Sequence, residues 1–345
     1  MRRALIAAVI AVTCGWSSAR ATDAAFTQFI ASLWPEAQAE GVSRATFERE
    51  THGLEPDYKL PDLLLPGRPA TGAPSQAEFV QVPADYVREA SIARLAGEGQ
   101  RLLQKYRPAL TEIEKKSGVP ATMMLAIWGR ETDYGRYTLP YDLVRVLATQ
   151  AYVGRRKDQY RTELILALKL LGEGVVTRKD MRSSWAGATG LTQFLPSEYY
   201  KHGVDFDGDG RIDLVNNPAD VIGSVANYFK AFGWQPGVPA IYPVHFEEAR
   251  LQKALLLAPD ILPTFSADSF VAAGAVPEGD GINHKGLFAL VELQNGLDMP
   301  PTYVAGTRNF YVITRYNWSS YYAMSVLDLG QEVKAAMEQQ QQAAR

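Results

Sequence analysis

Glu131 is the residue whose setting best suits proton transfer. It stands in the run Ile127-Trp128-Gly129-Arg130-Glu131-Thr132. A helix ending there sets the carboxyl one turn beyond a large aromatic and an aliphatic side chain. Apolar neighbours disfavour the charged form of a carboxylate, and so does the negative end of a helix dipole. Both effects raise the pKa expected of Glu131 toward that of a general acid working near neutral pH. On composition alone, a helix-terminal glutamate paired with Arg130 or Arg136 accounts for the same residues, and most such glutamates are structural.

A second constellation runs Ser184-Trp185-Ala186-Gly187-Ala188-Thr189-Gly190-Leu191-Thr192-Gln193-Phe194. Its small residues permit close backbone approach, and Ser184 and Gln193 can hydrogen-bond amide or hydroxyl groups. Trp185 and Phe194 offer flat apolar faces on which a sugar ring can stack. A Gly-rich turn followed by packing aromatics explains this stretch equally well. The third is Asp205-Phe-Asp207-Gly-Asp209-Gly210-Arg211-Ile-Asp213. Oxygen ligands at alternate positions, a glycine at the sixth and a carbonyl at the seventh make an EF-hand-like Ca2+ loop. Its twelfth position is Asn216 instead of a bidentate glutamate, and Asp220 is the expected replacement. The candidate ligands are Asp205, Asp207, Asp209, the Arg211 carbonyl and Asp220. No flexible helix pair for signalling is evident, so the ion is expected to be structural. Other devices are missing: there is no G-x-S-x-G, H-E-x-x-H or C-x-x-C, and Gly281 to Gly286 lacks the Lys-Ser/Thr of a phosphate loop.

Helices and short strands must hold these groups. Helical spacing covers residues 26 to 50, and an apolar stripe from Ile92 to Ile113 predicts a long helix from Asp85 to about Lys116. Residues 55 to 84 are rich in Pro and Gly and should wander over the surface. Pro120 opens a helix that reaches Glu131 and stops near Gly135. Another covers 162 to 171, and Asn217-Pro218 opens a third that ends at Phe232-Gly233-Trp234. Leu287 to Leu293 and Phe310 to Thr314 read as strands, and Ser319 to Met337 as helix. The first 21 residues differ in kind. Arg2 and Arg3, an apolar run from Ala4 to Gly15 and Ala19-Arg20-Ala21 make an export signal, too short to span a bilayer. Cys14, the only cysteine, lies inside it, and Ala11-Val12-Thr13 matches a lipobox poorly, which argues against lipidation. The mature chain then has no thiol chemistry, and its location is expected to be periplasmic. A net charge of −3 leaves no footprint for nucleic acid.

Taken together, these motifs resemble the lytic murein transglycosylase B family. The densest matches are Ala126 to Tyr137, Ser184 to Tyr199, Val204 to Trp234 and Asn309 to Leu327. The resemblance implies a mainly α, α+β fold: a lysozyme-like helical core, a flanking helical domain and a small β-rich domain. The expected boundaries are 1–21 for the signal, 22–117 for the helical domain completed by 319–340, 118–235 for the core, and 236–318 for the β-rich piece. It also implies that Glu131 is the single catalytic acid/base, that Ser184, Gln193 and Phe194 line the cleft, and that Tyr228 stands near the reacting sugar. Tyr316, Asn317 and Tyr322 are implied at the site, and the calcium loop is a family feature. The implied reaction cleaves the bond between N-acetylmuramic acid and N-acetylglucosamine and leaves 1,6-anhydro ends. The implied partner is the peptidoglycan strand, with other cell-wall enzymes as further candidates; the chain is expected to be a monomer without organic cofactor. Two residues depart from the pattern: Thr189 stands where Met is usual, and Trp318 where a polar or basic residue is.

Rival readings remain distinguishable. A hydrolytic muramidase usually needs a second carboxylate across the cleft. Asp133 is too near Glu131 in sequence to face it, and Asp142 cannot be judged from sequence. A non-catalytic peptidoglycan-binding scaffold would bind glycan without turnover.

Overall fold

Prolines and glycines set the lengths of the helices from the first one onward. The computed structural model describes residues 24–65, 89–246, 250–295 and 299–343. The helical spacing over 26 to 50 resolves into three helices: α1 (Ala24–Ser32), α2 (Trp34–Ala39) and α3 (Arg44–Thr51). Pro35 enters α2 in its first turn, where its missing N–H is no loss, and Ser43 caps α3 by accepting from the Thr46 N–H. The long helix expected to reach Lys116 breaks at Tyr106 into α4 (Glu89–Lys105) and α5 (Arg107–Ser117). The cause is Pro108, which fits a first turn but would clash inside a continuous helix. The expected start at Asp85, the export signal and Cys14 lie outside the described residues.

The centre of the chain is α6 (Ala121–Thr132), α7 (Leu143–Val153), α8 (Lys157–Gly172), α9 (Pro196–His202) and α10 (Pro218–Ala231). The sequence reading did not anticipate α7 and α9. Asp142 starts α7 by accepting from the Arg145 N–H at 2.8 Å. A short antiparallel pair, β1 (Tyr141–Asp142) with β2 (Arg182–Ser183), fastens the entry of α7 to the segment that begins at Ser184. Every residue of α6 from Met123 to Gly129 is buried, as a helix packed on all sides requires. Each large apolar side chain buried there contributes about 1.5–3 kcal/mol.

A four-stranded antiparallel sheet follows: β3 (Ile241–His245), β4 (Val276–Pro277), β5 (Ala289–Leu293) and β6 (Thr302–Gly306), ordered β4-β3-β6-β5. Its register pairs Ile241 with Gly306 and Leu290 with Ala305. Leu256, Phe270 on α11 (Ala267–Ala272), Phe288 and Ala305 form a small core of their own. Two more helices close the chain, α12 (Arg308–Asn317) and α13 (Ser320–Ala343). The main core runs without a break from Phe26 on α1 to Val333 on α13, and α13 packs across both α4 and α6.

One expectation is corrected: Phe310 to Thr314 is not a strand but part of α12. Its β-branched and aromatic residues favour a strand locally, but Thr307 caps a helix start by accepting from the Asn309 N–H. Asn309 is fully buried, accepts the Gln235 N–H and donates to the carbonyls of Gln235 and Val238. Tertiary contacts therefore override local propensity. Among the described residues, no helix is long and apolar enough to cross a membrane.

Candidate active site

Glu131 is the penultimate residue of α6, half-buried. Beyond it the helix stops abruptly, because Asp133 and Tyr134 both adopt left-handed backbone, at φ 52° and 55°. Arg94 of α4 donates to both carboxylate oxygens of Asp133, at 2.8 and 2.9 Å, and so holds the turn from outside. Tyr134 folds back against the ring of Trp128 and against Gly129 and Gly99, two positions where a Cβ would meet its ring or hydroxyl. Thr132 faces the other way and donates from Oγ1 to the Leu191 carbonyl at 3.2 Å. The end of α6 is thus tied on one side to α4 and on the other to the Gly-rich segment.

That segment is a tight knot. Ser184 Oγ accepts the N–H groups of Ala186 and Ala188, each at 3.2 Å, and the Thr189 N–H donates to the Phe194 carbonyl at 2.9 Å. Gly190 is left-handed at φ 69°, and a Cβ there would lie 2.7 Å from the Leu214 carbonyl oxygen. Gln193 is left-handed as well, at φ 54°, which in a non-glycine residue is stored strain. Its Nε2 donates to the Gly190 carbonyl at 3.0 Å. The departure at Thr189 has a local rationale: the residue is buried and its hydroxyl donates to the Arg182 carbonyl at 2.7 Å. A void of about 20 Å³ lies beside it, among Leu170, Met181, Phe194, Tyr199 and Leu214.

Across from this knot, α12 and α13 supply aromatic hydroxyls. Tyr322 donates from its phenol to Glu131 Oε1. Tyr316 lies parallel to it, ring centres 6.5 Å apart and 9° between planes, and donates to the Thr192 carbonyl at 2.7 Å. Tyr228 of α10 meets Tyr316 edge-on at 5.0 Å and donates to the Arg315 carbonyl at 2.7 Å. Burial first, then the neighbouring Glu131 charge, pushes the phenols of Tyr316 and Tyr322 well above their ordinary range, so both stay protonated donors. Asn317 ends α12 half-buried, with Oδ1 buried and accepting from no described protein group.

The structure brings Glu131, Tyr316 and Tyr322 together, with Gln193 and Tyr228 linked to them through Gly190, Thr192 and the ring contacts. Phe194 requires a correction. It is 4% exposed and packs on Tyr228, Tyr316 and His202, so it supports the tyrosines from below and offers no open face for a ligand. Sequence reasoning missed Thr132 and the Glu198–His202 pair beneath the aromatic cluster. His202 Nε2 stands 3.1 Å from Glu198 Oε2 and holds the Glu198 carboxyl below its ordinary range. The i, i+4 spacing of Glu198 and His202 is the signal that flags it. The possible second carboxylates are occupied: Asp133 with Arg94, Asp142 with Arg178 at 2.8 Å, and Glu198 with His202 and Lys201.

The acidic loop ends against the same knot. Ligand oxygens of Asp205, Asp207 and Asp209 lie within 4.8 Å of one another. Backbone N–H groups of Gly208 and Gly210 donate to Asp205, that of Asp209 to Asp207, and that of Arg211 to Asp209. This set of hard carboxylate oxygens on a pre-folded loop fits a Ca2+ ion. Asp220 stands apart from the trio. It is fully buried and accepts the N–H of Phe206 at Oδ1 and of Asp213 at Oδ2, each at 2.8 Å, clamping both ends of the loop. Asn216 hydrogen-bonds Asp213, and the Arg211 side chain donates to the Val175 carbonyl. At the loop exit, the Leu214 carbonyl accepts the Leu191 N–H at 2.8 Å, so the loop, the knot and the end of α6 form one connected scaffold.

The family model described as transglycosylase SLT domain matches residues 25–331. The membrane-bound lytic murein transglycosylase B of Escherichia coli (strain K12) is 36% identical over 236 residues, 68% of this chain and 63% of the relative, so the match spans less than two thirds of that protein's length. SltB3 from Pseudomonas aeruginosa, solved with NAG-anhNAM-pentapeptide, superposes with a TM-score of 0.74 and 31% identity, covering 90% of this chain and 79% of that one. The Escherichia coli lytic transglycosylase Slt35, solved in complex with calcium, gives a TM-score of 0.63 and 32% identity over 74% of this chain and 78% of that one.

Proposed function

Because the chain belongs to the transglycosylase SLT domain family, we propose that it is a peptidoglycan lytic transglycosylase with Glu131 as its single acid/base. The substrate is the β-1,4 bond between N-acetylmuramic acid and N-acetylglucosamine. The anhydro sugar bound to the Pseudomonas relative and the name of the Escherichia coli relative support this choice of reaction. The observation that carries it is the hydrogen bond from Tyr322 to Glu131 Oε1. With Oε1 receiving the phenol, the acidic proton falls on Oε2.

Glu131 gives that proton to the glycosidic oxygen as the bond to C1 of the muramic residue breaks, and the N-acetylglucosamine side leaves with a new hydroxyl. The acetamido carbonyl of the muramic residue stabilises the cationic C1, in the manner of substrate-assisted glycosidases. The Glu131 carboxylate then removes the proton of the C6 hydroxyl of the same sugar as O6 attacks C1. The ring closes as a 1,6-anhydro end and Glu131 recovers its proton. Proximity of O6 gives it the advantage over water. Tyr316, Tyr322 and Gln193 orient the sugar and its amide, and the buried Asn317 Oδ1 is an acceptor for a sugar hydroxyl or acetamido N–H. Ser184 contributes its hydroxyl proton at the cleft edge, and Tyr228 braces Tyr316.

The second reading, hydrolysis, is disfavoured because Asp133, Asp142 and Glu198 are paired with Arg94, Arg178 and Lys201. Asp205, Asp207 and Asp209, with the Arg211 carbonyl, are proposed to hold a structural Ca2+, which when bound neutralises the loop, while Asp220 clamps the loop's two ends. The calcium complex of Slt35 supports that assignment. The chain is proposed to act as a monomer on periplasmic glycan strands after export. Mass spectrometry of peptidoglycan digested by the protein and by Glu131→Gln tests the reading. Anhydro-ended muropeptides are expected from the first, with turnover reduced about 10²–10⁴-fold in the second. Hydrated reducing ends would make the protein a hydrolase, and binding without products would make it a scaffold.

A further inference from the structure

Trp318 lies just outside the machinery above. It follows the last residue of α12 in left-handed backbone, at φ 43°, where glycine or asparagine is the relaxed choice. It is also 59% exposed, so no burial requirement explains a large ring there. What holds it is Arg315. The guanidinium carbon of Arg315 lies 4.0 Å from the centre of the Trp318 ring and 4.3 Å from that of Tyr311. Tyr311, Arg315 and Trp318 are spaced i, i+4 and i+7, one face of the helix.

Arg315 is 7% exposed; its Nε has no hydrogen-bond partner among the described residues, while its terminal nitrogens reach the largely exposed Asp260 at 3.5 Å and Thr314 Oγ1 at 3.3 Å. The aromatic rings thus join the Asp260 and Thr314 oxygens in supporting a buried cation. The cation in turn fixes the indole by one face, and the exposure of the residue leaves the opposite face to solvent. The same stretch of chain feeds the site: the Arg315 carbonyl accepts from Tyr228, Tyr316 and Asn317 follow, and Ser319 Oγ accepts the Tyr322 N–H.

We propose that Trp318 is a sugar-stacking platform that binds a saccharide unit of the glycan strand beyond the pair that reacts, and so sets the enzyme's preference for strand length. The inference rests on the glycan-cleaving reading above. An indole presents a flat apolar face that matches the C–H face of a pyranose. Because the ring is already immobilised, binding a sugar there orders nothing further in the protein. The ring partners of Tyr316 and Tyr322 among the described residues do not include Trp318, so its contribution is expected on binding and not on the chemical step.

The test compares cleavage of purified peptidoglycan oligosaccharides of two and of four disaccharide units by the wild type, Trp318→Gly and Trp318→Tyr. Glycine suits the left-handed backbone and removes the ring without adding strain. The expected result for Trp318→Gly is a KM raised about tenfold for the longer substrate. Its kcat is expected to be unchanged and its kinetics on the shorter substrate the same as wild type. Trp318→Tyr, which restores a flat ring, is expected to recover most of the loss. Equal KM changes at both lengths, a fall in kcat, or no change at either length would each overturn the proposal. Absence of cleavage by the wild type itself would overturn the glycan-cleaving reading instead.

Discussion

Tyr322→Phe removes one oxygen atom, the donor to Glu131 Oε1, and leaves the ring in place. Tyr322 is 3% exposed and its ring lies parallel to that of Tyr316, so Phe fills the same space with the same stacking partner. A hydrogen bond to a charged group is worth about 1.5–3 kcal/mol. If it orients the carboxylate through the reaction, its loss lowers kcat about 10- to 150-fold. KM should change less than kcat, because the lost hydrogen bond goes to Glu131 and the ring that packs beside the sugar site is kept. Burial, and after it the Glu131 charge, holds the Tyr322 phenol well above its ordinary range, so Tyr322 does not lose its proton in any working buffer. The alkaline limb of the wild-type rate profile should therefore persist in the variant. The assay is release of anhydro-muropeptides from purified peptidoglycan across a pH series, with thermal melting alongside. Wild-type kcat in a folded Tyr322→Phe variant would refute the reasoning, and so would an alkaline limb that disappears with the hydroxyl.

Three further outcomes follow from the scaffold. Adding Ca2+ after chelation is expected to raise the melting temperature, by about 2.7 kcal/mol of stability at a hundredfold excess over Kd, and Asp207→Asn should abolish most of that response. Gly190→Ala puts a Cβ 2.7 Å from the Leu214 carbonyl in left-handed backbone. It should cost more than about 1 kcal/mol in denaturant melts and lower activity, because Gly190 also accepts the Gln193 amide. His202→Phe removes the partner that holds the Glu198 carboxyl low. A lowered carboxyl pKa contributes stability that is present above the unfolded value of 4.5 and lost as pH falls through the folded one. The stability gap between wild type and variant should therefore be full at neutral pH and narrow below pH 4.5; a gap that widens on acidification would contradict the pairing.

The sequence by itself determined the features that depend on neighbours along the chain. An apolar helix ending at Glu131, the alternate aspartates from Asp205 to Asp209, and the proline and glycine stops all follow from spacing of a few residues. Even the family pattern was legible, because its motifs are local runs in a fixed order. Only the tertiary structure decided which side chains meet. Tyr322 reaches Glu131 across 191 positions, and Tyr316 reaches Thr192 across 124. No periodicity encodes such contacts, because they exist only once α13 lies against α6. Packing likewise turned Phe194 inward beneath the tyrosines. Burial and the buried Asn309 made Phe310 to Thr314 a helix against its β propensity. Asp220 shows both limits at once: its place in sequence marked it as belonging to the acidic loop. Its complete burial gave it two backbone N–H groups to satisfy, and that made it the clamp that holds the loop's ends together.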